Sequence, residues 1–346
     1  MQLLDKKTCH SIGRFSFFYT NTMHGDKIEK NVFGGDRMNN PYSIQIEWNE
    51  VYECIVSLYA FIDEKEQKHF QLGPEWKKQT METLPPAFAS ELSDERWEVL
   101  HRLVLLAAQV PDQKTVPAFL NWLGQLPAGE IYERLAPWVT TIPLDLTAVR
   151  DHCLSVLERW NQHYFSKLEP VILKRLAESA DQMRQQAERM EAVELIDLAT
   201  GGIWIDAVPG LQQIVLVPQY HCAPASVLDF YRGMATCLYP VAQAAQEQDD
   251  PLLEILPITQ CLADAKRLQI LRCLAGGRRT LGELQQQVGL AKSTVHHHVT
   301  ALRRAGLIRA HYIGSQNVSC YSLRESFVDR LPLVLRAYLE SGEHTE

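Results

Sequence analysis

TLGELQQQVGLAKSTVHHHVTALRRAG, residues 280–306, decides how the C-terminal quarter of this 346-residue chain folds. Thr280 with Glu283 three residues on is a capping box, in which each side chain satisfies a backbone N–H left open at a helix start. Leu281, Leu284 and Val288 then form the buried edge of a short helix that Gly289 ends. Past Gly289-Leu290-Ala291 another helix is expected from Lys292 to Ala305, closed by Gly306 at a position that tolerates a left-handed backbone. Two short helices joined by a tight glycine-containing turn are a helix-turn-helix, whose second helix is built to enter the DNA major groove.

At about 100° per residue, Val295, Val299 and Leu302 share one stripe and form the core face of that second helix. Ser293, His297, Thr300 and Arg304 fall opposite, with Lys292, His296 and Arg303 on a flank. Ser293, Thr294, His296 and His297 are therefore expected near bases, and Lys292, Arg303 and Arg304 near phosphates. His296, His297 and His298 diverge along the helix and do not chelate one ion together, so no metal site is read there. His298 points to the flank of Leu302 as a packing residue.

Upstream, Thr259–Leu274 carries the helical stripe Leu262, Ala265, Leu268, Ile270, Leu271 and Leu274 and stops at Gly276-Gly277. Downstream, Leu307–Tyr312 and Val318–Leu323 read as two strands joined by Gly314-Ser315-Gln316-Asn317, a wing whose tip, Ser315 and Gln316, is expected at the DNA backbone. Arg324–Leu339, apolar at Phe327, Leu331, Val334, Leu335 and Tyr338, reads as a terminal dimerisation helix interrupted at Pro332. Charge is divided to match. Between Gln260 and Arg324 ten Lys and Arg face only Asp264 and Glu283, a surplus of eight, so the net −8 of the whole leaves −16 elsewhere. A polyanion-binding module on an acidic body is the reading.

The segments LADAKRLQIL (262–271), LGEL (281–284), KSTVHHHV (292–299), LRRAGLI (302–308) and YSL (321–323) together resemble the ArsR family of winged-helix regulators. The resemblance covers about 75 residues and implies a homodimer that binds a pseudo-palindromic operator and represses by blocking polymerase. Two departures lower the expected affinity. Ala291 stands where the family has a capping Ser, a loss of about 1 kcal/mol, and the wing tip is neutral where arginines are usual. Metal-sensing members carry Cys-x-Cys in the first helix of the motif, and Leu281–Val288 holds no cysteine.

The rest of the chain is read as mainly α with small antiparallel β elements. Residues 1–40 lack periodicity and are expected to be a disordered leader, with Met38 a candidate native start. Residues 41–245 are expected as a mainly helical sensor domain. It opens on a strand, Tyr42–Trp48, and a helix through Val51, Ile55, Leu58 and Ile62. A helix opened by Asp94 carries Trp97, Leu100, Val104 and Leu105, and longer helices are expected over Leu144–Tyr164 and Leu168–Ala199. A β-meander over 203–239 ends the body, and 246–258 is taken as a linker to the winged helix of 259–341. The body resembles the long-form regulators of the family, in which an uncharacterised domain precedes the helix-turn-helix.

No Gly-rich phosphate loop, HExxH or GxSxG occurs, so no enzyme, cofactor or catalytic residue is expected. His152, His163 and His221 are placed so that a shared site is geometrically open, against three unrelated histidines. Trp97, Trp122, Trp138, Trp160 and Trp204, with Tyr164, Phe165, Tyr220 and Tyr231, are candidates for an apolar ligand pocket or for plain core. Eight scattered cysteines and the absence of a signal or membrane-spanning run point to a cytoplasmic setting. The expected function is a DNA-binding transcriptional regulator, a repressor by family resemblance, with double-stranded DNA, a second copy and a small-molecule effector as partners. The alternatives are a metal-responsive repressor, and an enzyme or protein-interaction module using the winged helix for targeting.

Overall fold

Asn49 accepts from the amides of Val51 and Tyr52 (3.0 and 3.3 Å) and caps α1, Glu50–Ile62, just after β1, Ser43–Ile46. The computed structural model describes residues 42–63, 70–93, 100–111, 115–241, 251–315 and 317–341. Val51, Cys54, Ile55, Leu58 and Phe61 are all buried, so α1 is covered on nearly every side and serves as the axis of the body. Helices α2 (Gly73–Thr83), α3 (Pro86–Ser93), α4 (Leu100–Ala107), α5 (Val116–Gln125), α6 (Ala128–Leu135) and α7 (Leu146–His163) follow, and α4, α5 and α7 pack on α1. Trp160 of α7 is fully buried, and its indole N–H donates to Ser57 Oγ on α1 at 2.9 Å, which satisfies both polar groups inside the core.

The long helix expected to Ala199 is two helices, α8 (Pro170–Ala187) and α9 (Ala192–Thr200). The chain turns over Glu188–Glu191, where no Gly or Pro signals a break, and the turn brings Leu195 and Ile196 into the core. Gly201 ends α9 in the left-handed conformation, as its sequence position suggests.

The β-meander expected over 203–239 is not what forms. Strands β2 (Ile203–Ile205), β3 (Gln213–Gln219), β4 (Val227–Phe230) and β5 (Met234–Pro240) divide between two sheets. One sheet has the order β1-β3-β5-β4, with β1 and β5 both parallel to β3 and only β4 and β5 antiparallel. The side-chain period of a strand carries no direction, which is why alternation alone suggested a meander. β2 leaves that sheet and pairs with the C-terminal module instead.

That module contains α10 (Pro251–Leu262), α11 (Ala265–Ala275), α12 (Leu281–Val288), α13 (Lys292–Arg304), β6 (Ile308–Tyr312), β7 (Val318–Leu323) and α14 (Glu325–Glu340). The linker expected over 246–258 is helical from 251 onward, with Pro251 at the helix start where its missing N–H is harmless. Residues 242–250 lie outside the described residues, as do the leader of 1–40 and residues 94–99 with Asp94 and Trp97. The helix expected over Thr259–Leu274 breaks at Asp264, whose carboxylate accepts from the amides of Lys266 and Arg267 (2.8 and 2.9 Å) and starts α11. The terminal helix runs through Pro332 without interruption and packs against α10.

The wing hairpin β6-β7 is antiparallel, and β2 lies parallel to β6 in the register Ile203 to Ala310 and Ile205 to Tyr312. Ile196, Ile203, Ile214, Leu216 and Cys237 of the body therefore share one hydrophobic core with Ile270, Leu284, Val295, Val299, Leu302 and Ile308 of the module. The two parts share buried apolar surface and a common sheet.

Candidate nucleic-acid interface

Thr280 accepts from the amide of Glu283 at 3.2 Å, and the Glu283 carboxylate accepts from the amide of Thr280 at 2.7 Å, so the capping box forms as read. Gly289 ends α12 at φ 70°, and the chain turns into α13, which starts at Ala291 without a side-chain cap. Val295, Val299 and Leu302 are completely buried and fix the rotation of α13. Its outer face follows from that lock. Lys292, Ser293, Thr294, His297 and Arg304 are exposed, while His296, Thr300 and Arg303 are half-buried.

The histidine run splits three ways. His297 faces solvent, and His298 is buried with its Nδ1 lacking a hydrogen-bond partner, a packing residue as expected. His296 lies with its Nδ1 3.5 Å from Thr300 Oγ1, and burial, reinforced by His297, holds its imidazole below the ordinary 6.5. Arg303 runs beside Gly202 of the body, so its stem is spent on the β2–β6 junction. Ser315 is half-buried and bonds to Asn317 across the wing tip at 3.4 Å, and Gln316 lies outside the described residues.

The basic surplus of the module is smaller at the surface than in the sequence. Asp197, 5% exposed, accepts from both Arg309 and Arg324 (3.1 Å each). Asp206 accepts from Arg278 at 3.0 Å and pairs with His311 at 3.2 Å. Three of the ten cations counted toward a polyanion surface thus anchor the body, and Arg309 also stacks over Trp204 at 4.4 Å. Burial opposes ionisation of Asp206, but His311 and Arg278 outweigh it and hold the carboxyl below its ordinary 3.8.

In the body, the histidines read as a possible joint site stand apart. His152 is exposed on α7, His163 lies against Phe88, and His221 is fully buried. His221 instead completes a chain that sequence spacing did not suggest. Glu53, also fully buried, accepts from the amides of Tyr220 and His221 and from His221 Nδ1, while His221 Nε2 accepts from Tyr164 Oη at 2.6 Å. Trp76 Nε1 donates to that same Tyr164 oxygen at 2.8 Å. Its members come from four separate stretches of the chain, with Glu53 and His221 168 residues apart, so only a tertiary contact reveals them. Of the candidate pocket aromatics, Trp160 and Phe165 are core, and Trp138 lines a cavity of about 740 Å³ in the body.

Among the described residues no group of three His, Cys, Asp or Glu side chains is placed to share an ion, and no helix is long and apolar enough to cross a membrane. A family model described as a helix-turn-helix domain matches residues 262–311. The C-terminal module is a helix-turn-helix domain. Over 67 residues the chain is 36% identical to the HTH-type transcriptional regulator KmtR of Mycobacterium tuberculosis, a stretch that is 19% of this chain. It spans about half, 52%, of that regulator's length. A solved homodimeric winged helix-turn-helix DNA-binding domain from Mycobacterium bovis, described as a possible ArsR-family regulator, is similar at 25% identity and a TM-score of 0.22. That likeness covers 31% of this chain and 94% of the other. The helix-turn-helix read from the sequence motifs is thus matched by a family model, and the Mycobacterium tuberculosis relative is itself described as a transcriptional regulator.

Proposed function

We propose that the protein is a sequence-specific DNA-binding transcriptional regulator, a homodimeric repressor whose body senses a ligand or partner. The observation that carries this reading is the rotation of α13. Its apolar stripe is locked in the core, and Lys292, Ser293, Thr294, His297 and Arg304 point outward on a helix free to enter a major groove. In that pose Ser293, Thr294, His296 and His297 meet base edges, with Thr300 beside them. Lys292, Arg303 and Arg304 neutralise phosphates, and the wing residues Ser315 and Gln316 follow the backbone. The second copy would dock on the face where α10 and α14 meet, which exposes Leu252, Leu256, Val328, Leu335 and Leu339. Repression would follow from occlusion of a promoter by the bound dimer.

Gel-shift titration of the full chain on DNA from upstream of its own coding region, at several salt concentrations, tests the reading. Binding should weaken steeply with salt. His297→Ala should change sequence preference at a cost of about 1–3 kcal/mol, whereas Arg304→Ala should weaken all sequences alike and lower the salt slope by about 1. Variants that bind as the parent does would overturn this orientation of α13.

A further inference from the structure

The sheet β1-β3-β5-β4 has two faces with different duties. Ile44, Ile46, Ile214, Leu216, Ala235 and Cys237 point into the core that holds Val295, Val299 and Leu302 of α13. The alternate residues, Gln45, Glu47, Val215, Val217, Met234 and Thr236, floor a cavity of about 740 Å³ roofed by α4 and α6. That volume lies within the range of small-molecule sites, about 300–1,000 Å³.

Its lining combines an aliphatic surface with a surplus of carboxylates. Val104, Leu105, Val215, Val217 and Met234 supply an aliphatic surface beside the ring of Trp138. Three carboxylates, Glu47, Glu130 and Glu133, stand against one guanidinium, Arg134. Arg134 is already engaged, donating to Glu130 at 2.6 Å and Gln109 at 3.2 Å and stacking on Trp122 at 5.2 Å. A second observation points to an occupant. Tyr52 is 1% exposed, lines the cavity, and its hydroxyl has no hydrogen-bond partner. A buried hydroxyl without a partner costs about 1–3 kcal/mol, so such groups are normally satisfied by protein, water or ligand.

We infer that this cavity binds an amphipathic organic cation, its apolar body on the sheet and Trp138 and its charged head toward Glu47, Glu133 and the Tyr52 hydroxyl. This rests on the reading of the body as a sensor and names the site and ligand class. An aromatic wall with acidic groups favours a weakly hydrated cation, and the same wall repels an anion of equal size. The site also has a route to the DNA-binding helix. β3 and β5 present one face to the ligand and the other to the core of α13, so a displacement of Val215 or Thr236 is felt by Leu216 or Cys237 on the same strand.

Tetraphenylphosphonium and tetraphenylborate, nearly isosteric ions of opposite charge, separate charge from size. Titration of the full-length protein with each, followed by calorimetry and Trp fluorescence, should show saturable binding of the phosphonium only. The double variant Glu47→Gln/Glu133→Gln should weaken it roughly tenfold with unchanged thermal unfolding. Filling the cavity with Val217→Trp should abolish binding, and helical circular dichroism reports whether that variant folds. Equal binding of the two ions, or none of the phosphonium by a protein that retains operator binding, overturns the cationic site and leaves the DNA-binding reading standing. Phosphonium binding by a protein that binds no operator upholds the site and overturns the regulator.

Discussion

Asp206 accepts from Arg278 and His311, two residues of the helix-turn-helix domain, and these contacts set a pH dependence at a single carboxyl. Its folded pKa lies below the ordinary 3.8, so the ionised form is favoured by folding. The resulting stability is fully present above the unfolded value and is lost as pH falls through the folded one. Asp206→Asn should therefore cost about 1–2 kcal/mol in urea unfolding near pH 6, and the gap should be smaller at about pH 2, as the folded carboxyl takes up its proton. A gap of the same size at both pH values would show that the contact acts by shape rather than charge. The residue scale is also where the sequence reading was most uneven. The faces of α13 followed from 3.6-residue periodicity, because burial of Val295, Val299 and Leu302 leaves one rotation open. Asp197, Asp206 and the Glu53–His221 pair stayed invisible, since each meets partners 70 or more residues away.

Between elements, β2 is the joint that ties body to module. Gly202, just before it, sits at φ 130°, a conformation that L side chains rarely adopt, and its carbonyl accepts from Ala310 at 2.8 Å. A Cβ there would stand 2.6 Å from the Ile308 carbonyl oxygen. Gly202→Ala should lower stability by about 2–4 kcal/mol through strain and overpacking together, read by thermal unfolding. Gly210→Ala is the control, because it too has positive φ, at 95°, but open space around its Cβ, and strain alone should cost it less. Equal losses would mean that the close approach to β6 is unimportant. The glycine pair 201–202 was legible as a helix stop, and its second role was not, because the sequence carries no sign that β6 passes within van der Waals distance.

Over the whole molecule, α10 and α14 expose the apolar side chains on which a second copy would dock. Leu335 and Leu339 lie one helical turn apart and are 43% and 65% exposed, with Val328 two turns upstream. Burying each leucine in a dimer is worth about 1.5–3 kcal/mol. Leu335→Lys/Leu339→Lys should therefore sediment as a monomer in analytical ultracentrifugation and lose operator affinity, while the parent sediments as a dimer. A parent monomer, or a dimeric variant, would place assembly elsewhere. The sequence by itself determined the helix-turn-helix, its capping box, its turn glycine and its wing, because those depend on local hydrogen bonding and on periodicities of 3.6 and 2. Only the tertiary structure decided that β1 and β5 flank β3 in parallel, that β2 joins the wing, and that three of ten module cations pair with carboxylates of the body. Strand direction, sheet membership and ion pairing are relations between distant segments, and nothing in a local pattern of side chains encodes them.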